Sequence, residues 1–206
     1  EEMGDDALDR DARIKLSISA KQRRAHDSEL YGPVSLAFDH HRGLLLVADT
    51  IKHQVEVFSC DDDDGCSLVS KFGEQGDQPG QLNKPWSLAI DHDHDRILVA
   101  DRGTDRIKLW SLSEQSFLSC VGHRGSGDLE FFNPKGIVID SIIIVDSGNH
   151  RLVFLSSIDL SFLFSVGKRG SQPGEFHNPM GIAIDDDRHR IIVSDTANHR
   201  VQVLSS

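Results

Sequence analysis

The chain has 206 residues, 38% of them apolar, which is enough to bury a core and excludes wholesale disorder. Its formal net charge is −11, with 33 acidic against 22 basic residues, which weighs against nonspecific coating of DNA and leaves open a basic patch on one face. No run approaches 18 consecutive apolar residues, so the sequence offers nothing that spans a membrane.

Residues 1–12 open on Glu1-Glu2-Met3-Gly4-Asp5-Asp6. They are acidic, lack the apolar core of a signal peptide, and read as a flexible tail. Without an initiator Met, the chain reads as a piece of a longer protein. Residues 13–18, Arg13-Ile14-Lys15-Leu16-Ser17-Ile18, alternate polar and apolar as a strand does. The chain then repeats itself in units near residues 30–72, 82–121, 131–166 and 176–206. The units open on Pro33, Pro85, Pro134 and Pro179, spaced 52, 49 and 45 residues apart. After the first apolar run, a second ends in Asp49, Asp101, Asp146 or Asp195. A polar turn leads to a third, Val55–Phe58, Ile107–Trp110, Leu152–Leu155 or Val201–Leu204. Three units add a fourth, Ser67–Phe72, Phe117–Val121 and Phe162–Val166, each followed by a glycine, Gly73, Gly122 or Gly167.

These runs are short, rich in Ile, Val, Leu and Phe, and bounded by Gly, Pro, Asp and Asn, which makes them strands. The first run alternates, the second is apolar throughout, and the third alternates with charged partners such as Glu56 and Lys108. Four antiparallel strands per unit, most buried in the interior, describe the blade of an all-β propeller. A β-solenoid repeats over fewer residues per coil. The last unit stops after its third strand, and residues 13–18 are expected to supply its fourth. The link Asp140-Ser141 is four residues shorter than Asp185–Arg190 in the last unit, so that hairpin is either unusually tight or has lost a loop. Cys60, Cys66 and Cys120 are too few for a disulfide framework and point to a reducing, cytoplasmic setting. Cys60 and Cys66 bracket Asp61–Gly65 and could close a small loop disulfide, but without a secretory signal two free thiols are expected.

The pattern Pro-x-Gly-Ile-Ala-Ile-Asp from Pro179, followed by Asp195-Thr-Ala-Asn-His-Arg200, resembles the NHL repeat; Asp146-Ser-Gly-Asn-His-Arg151 is a second clear copy. Asp101-Arg-Gly-Thr-Asp-Arg106 and Asp49-Thr-Ile-Lys-His-Gln54 keep part of it. The resemblance covers residues 30–206 and implies a propeller used for recognition. Similar propellers stand at the C-terminus of tripartite-motif ubiquitin ligases and bind protein partners or RNA. Some related propellers are lyases or calcium-dependent lactonases.

Asp49, Asp101, Asp146 and Asp195 recur in every unit, which suits structure better than catalysis, since a catalytic group is needed once. Each is expected to accept hydrogen bonds from turn N–H groups. Arg106, Arg151 and Arg200, five residues on, are placed to pair with a carboxylate. His150 and His199 read as turn-packing residues. His92 and His94, alternating with Asp91, Asp93 and Asp95, read as part of a solvated acidic rim rather than as metal ligands. No catalytic motif and no phosphate loop leading into a helix is present, so no enzyme, metal or cofactor is expected.

Blade-joining loops and the turns between second and third strands share one rim. That rim holds Lys52, Arg102, Arg124, Lys168 and Arg169, at positions whose charge varies between equivalent turns. These five are the partner-binding candidates. The opposite rim holds the acidic runs Asp61–Asp64, Asp91–Asp95 and Asp185–Asp187. The expected ligand is a protein or peptide of acidic character. RNA is the alternative, with Phe132 and Tyr31 as its stacking platforms.

Overall fold

The computed structural model describes residues 29–62, 65–139 and 141–205. The acidic tail 1–12 and the strand expected at residues 13–18 lie outside the described residues.

Four antiparallel sheets follow one another along the chain. The first blade comprises β1 (Pro33–Asp39), β2 (Leu44–Asp49), β3 (Gln54–Asp62) and β4 (Gly65–Phe72). The second comprises β5 (Pro85–Asp91), β6 (Arg96–Asp101), β7 (Arg106–Ser111) and β8 (Phe117–Val121). A two-residue ladder, β9 (His123–Arg124) on β10 (Glu130–Phe131), leads into the third. That blade is β11 (Pro134–Val138), β12 (Ile142–Asp146), β13 (Arg151–Leu155) and β14 (Phe162–Val166). The last has β15 (Pro179–Asp185), β16 (Arg190–Asp195) and β17 (Arg200–Ser205). The strand order is sequential in every sheet, as a run of tight hairpins requires.

The burial gradient follows the expected pattern. β6 and β12 are buried along their whole length, whereas β8 and β14 are largely exposed. Turns close where the chain turns left-handed: His53, Asp105, His150 and His199 hold equivalent turn positions at φ between 54° and 59°. Val138 pairs with Ile143 on either side of the shortened link, within which Asp140 lies outside the described residues.

The blades pack face to face. One apolar cluster, with Val57, Phe72, Val99 and Trp110, joins the first blade to the second. A second, with Leu98, Leu109, Ile144 and Val153, joins the second to the third, and a third, with Val145, Leu152 and Val193, joins the third to the fourth. The inner strands β1, β5, β11 and β15 pack in that order around a common axis.

Each blade-joining loop is pinned from below. Gly73, Gly122 and Gly167 have φ of 85°, 92° and 98°, a region glycine enters freely. Nine residues on, Leu82, Phe131 and Phe176 are wholly buried and lie against those glycines. Short parallel bridges, Gln75 with Leu82, Arg124 with Phe131 and Arg169 with Phe176, fix the two arms of each loop together. The rim is therefore built on anchored backbone.

Cys60 and Cys66 form a disulfide, which corrects the expectation of free thiols. The cause is register: Ser59 pairs with Ser67 and Asp62 with Gly65, so the two cysteines face each other across the β3–β4 hairpin with Cα atoms 4.2 Å apart. Cys120 is free and exposed. No helix among the described residues is long and apolar enough to cross a membrane.

Candidate functional site

Every inner strand starts on its proline and then slips. The ladder breaks between Pro33 and Ser35, Pro85 and Ser87, Pro134 and Ile137, and Pro179 and Ile182. A bulge turns the extra residue out of the ladder and re-aims its side chain. The residues released are Val34, Trp86, Lys135 with Gly136, and Met180 with Gly181. Val34, Trp86, Gly136 and Met180, one from each blade, line a cavity of about 290 Å³ on the axis.

The four repeated aspartates hold the loops above these bulges. All four are out of contact with solvent. Each accepts the backbone N–H of the residue two before its own blade's proline: Tyr31 to Asp49 (2.7 Å), Asn83 to Asp101 (2.7 Å), Phe132 to Asp146 (2.8 Å) and His177 to Asp195 (2.6 Å). Turn N–H groups, the donors the sequence led us to expect, join in at Asp49, from Ile51 and Lys52. At Asp146 and Asp195 the second oxygen takes side-chain donors instead, Asn149 and Arg151, and Asn198 and Arg200. Arg106 does not fill this role, which corrects that expectation. Lys108, two residues further along β7 and buried, reaches Asp101 at 3.0 Å. Burial raises the carboxyls of Asp101 and Asp146 above the usual value despite these donors. Burial acts in the same direction on Asp49 and Asp195, but there hydrogen bonds outweigh it and both titrate below that value. The two raised groups belong to the inner blades, which have protein on both faces. His150 also acts structurally, its Nδ1 accepting the N–H of Asn178.

The five candidate cations all stand on the expected rim, in unequal settings. Lys52 donates to the buried Glu56 at 2.7 Å and lies 5.3 Å from the ring centre of Tyr31. Lys168 is exposed, 3.4 Å from Glu175, and Arg169 is exposed beside it. Arg102 and Arg124 are brought together around Asn133. Arg102 Nε donates to Asn133 Oδ1, and Asn133 N–H donates to Asp105 at 2.6 Å. Asp105 in turn lies 3.8 Å from Arg124, whose guanidinium sits 4.7 Å from the ring of Phe132.

Two residues that sequence reasoning did not select complete this group. Trp86 holds Arg102 at 5.0 Å and Lys135 at 5.1 Å from its ring centre. Lys135 is 4% exposed. Burial, and after it the Arg102 charge, hold its ammonium below the usual lysine value. The available signal was the one that selected Arg102: the residue after the repeated proline is Val, Trp, Lys or Met, so strand packing does not dictate it.

The acidic rim is less solvated than its sequence suggests. Asp91 is buried and bound by Arg96 at 2.7 Å and by His94, while Asp95 receives Arg42 from the first blade at 3.3 Å. No group of three or more His, Cys, Asp or Glu among the described residues is arranged to hold a metal ion.

Comparison with known proteins places this geometry in a wider setting. A model of the family described as "NHL repeat" matches residues 176–204, and one of the family described as "Lactonase, 7-bladed beta-propeller" matches residues 11–126, more than half of the chain. No curated protein matches the sequence. Among solved structures, the RRP9 WD40 repeats are 13% identical over 89% of this chain and 54% of that one, with a TM-score of 0.60. An auxiliary nutrient binding protein from Bacteroides thetaiotaomicron is 13% identical over 82% and 46%, with a TM-score of 0.60. A catalytically inactive virginiamycin B lyase from Staphylococcus aureus with Quinupristin is 10% identical over 90% and 59%, with a TM-score of 0.58. The chain spans about half the length of these structures, and at such identities the likeness is one of fold.

Proposed function

We infer, from the premise that this chain belongs to the Lactonase, 7-bladed beta-propeller family and carries an NHL repeat, that it serves as a non-enzymatic recognition module for a protein or peptide partner. The contact surface is the rim of blade-joining loops, and the partner segment is acidic. The observation that carries this reading is the cluster of Arg102, Arg124 and Lys135 on anchored backbone in a chain whose net charge is −11. Such a patch focuses an attractive field on an acidic ligand while the rest of the molecule repels it.

Two observations favour other readings. Basic side chains lie against Tyr31, Trp86 and Phe132, an arrangement that also suits stacked bases of single-stranded RNA. The family description and the likeness to a lyase favour an enzyme. One experiment discriminates. A labelled Glu-rich peptide and a labelled single-stranded RNA are titrated against the wild type and against a variant with Arg102, Arg124 and Arg169 all changed to Glu. The proposal expects saturable peptide binding that the variant loses while remaining folded. Peptide binding unchanged in the variant, or binding of RNA alone with a steep salt dependence, overturns it. Hydrolysis of a lactone by the purified chain that depends on added Ca²⁺ overturns the non-enzymatic part.

A further inference from the structure

The rim carries one buried charge that no acidic group among the described residues answers. Three cations are buried among the described residues: Arg96, Lys108 and Lys135. Arg96 meets Asp91 at 2.7 Å and Lys108 meets Asp101 at 3.0 Å. Lys135 meets the indole of Trp86, whose ring also carries the guanidinium of Arg102. Both cations lie near 5 Å from one ring centre, so they stand within about 10 Å of each other, near one Debye length. Burying a charge without a counter-charge is costly, and a like charge beside it adds to the cost. Arg102 spends its Nε on Asn133, and its two terminal nitrogens have no hydrogen-bond partner among the described residues.

Ser147 Oγ is buried and has no hydrogen-bond partner among the described residues. Ser147 opens the turn that follows β12 in the third blade. The equivalent hydroxyl of the first blade, Thr50 Oγ1, is satisfied by the carbonyl of Pro85. Beside the cations lies the axial cavity, with Val34, Met180 and Ile182 in its lining.

We propose that Arg102, Lys135 and Trp86 form an anion pocket at the axial mouth that takes a single carboxylate on an aliphatic stem, from an acidic side chain or from a chain terminus. A planar guanidinium matches a carboxylate with two parallel hydrogen bonds. The ammonium supplies the second charge, and the apolar cavity takes the methylenes behind the carboxylate. The more strongly hydrated phosphate dianion has no comparable use for that lining. The pocket rests on the rim reading above and names the chemical group by which the rim holds its ligand.

The test follows the two indole N–H resonances of the ¹⁵N-labelled protein, with buried Trp110 reporting the fold and Trp86 reporting the pocket. Three probes are titrated: a Glu-rich peptide blocked at both ends, an apolar peptide with a free C-terminal carboxylate, and inorganic phosphate. The expected result is a saturable shift of Trp86 with one of the peptides, which identifies the source of the carboxylate. Lys135→Met should weaken that binding about tenfold or more, the scale of a lost charged hydrogen bond. Arg102→Gln should weaken it in the same direction. Lys135→Met should also hold or raise the melting temperature, because it removes an unanswered charge; a lysine kept for structure would lower it. The pocket is overturned if Trp86 is unmoved by both peptides, if phosphate moves it more than either peptide at equal concentration, or if both variants bind like the wild type. Should the rim triple variant lose peptide binding while Lys135→Met and Arg102→Gln keep it, the rim reading stands and the pocket falls.

Discussion

The backbone N–H of Phe132 donates to Oδ1 of Asp146 across 2.8 Å, and Oδ2 of the same carboxylate binds Arg151 Nε at 2.9 Å. One buried group thus ties the loop before a blade to the turn inside it. Replacing Asp146 with Ala strands a backbone donor and leaves a nearly buried guanidinium without its anion. The expected loss is about 3 kcal/mol, typical of removing one partner of a buried pair. Asp195→Ala, in the last blade, should cost less, about 1–3 kcal/mol. Urea denaturation of both variants measures this, and a loss below about 0.5 kcal/mol at either site would show that the carboxylate is not a lock.

The two carboxylates should also respond to pH in opposite senses. The folded Asp146 titrates above 3.8 because burial outweighs its hydrogen bonds. Its ionisation therefore opposes folding, and its contribution declines as pH rises from 3.8 through the raised value. At Asp195 burial is outweighed by His177 N–H, Asn198 and Arg200, so the folded group titrates below 3.8. Its contribution is complete above that value and is lost as pH falls through the depressed one. The stability advantage of the wild type over Asp146→Asn should shrink with rising pH, while that over Asp195→Asn should grow. Denaturation midpoints between about pH 3 and 7 test both slopes, and parallel slopes would contradict the assignment.

The exchange of Arg106 for Lys108 as the partner of Asp101 has a direct consequence. Lys108→Met leaves Asp101 buried without its cation and should cost about 3–5 kcal/mol. Arg106→Met should cost less than about 1 kcal/mol. The reverse order in thermal or urea unfolding would return the role to the repeat's usual arginine.

The loop anchors make a further prediction. Phe131 is wholly buried beneath Gly122, whose φ is 92°. Phe131→Ala should cost about 3–5 kcal/mol through the cavity it leaves. Gly122→Ala should destabilise as well, because its Cβ meets the Phe131 ring in a backbone region that side chains disfavour. Hydrogen exchange should show the amides of residues 123–131 opening first in both variants. Protection lost evenly across the chain would mean that the loop has no anchor of its own.

The blades were legible in the sequence because what makes a blade is local: alternation, a turn residue and a repeated aspartate within about 50 residues. Features that depend on register were not. Cys60 and Cys66 bracket a loop short enough to close, but the choice between bridge and free thiols rests on the offset of β3 on β4. Lys108 stands in for Arg106 because side chains two apart share a face of β7, so the sequence spacing alone does not say which of them meets Asp101. Trp86 and Lys135 meet because both stand at the bulges of neighbouring inner strands. Arg102 was found because its turn tolerates other residues; the same tolerance one strand away went unread.

Each lock closes within its own unit, with donor and acceptor 14 to 18 residues apart in the chain. A stretch of gene encoding one unit therefore carries its own lock, and what a copied blade must still match is the apolar face of its neighbour. Mutational drift is then tolerated where the lock makes no demand, at the bulge after the proline. Valine, tryptophan, lysine and methionine at that one position are four outcomes of that freedom. Swapping them among units by engineering is a route to propellers of new selectivity on an unaltered frame.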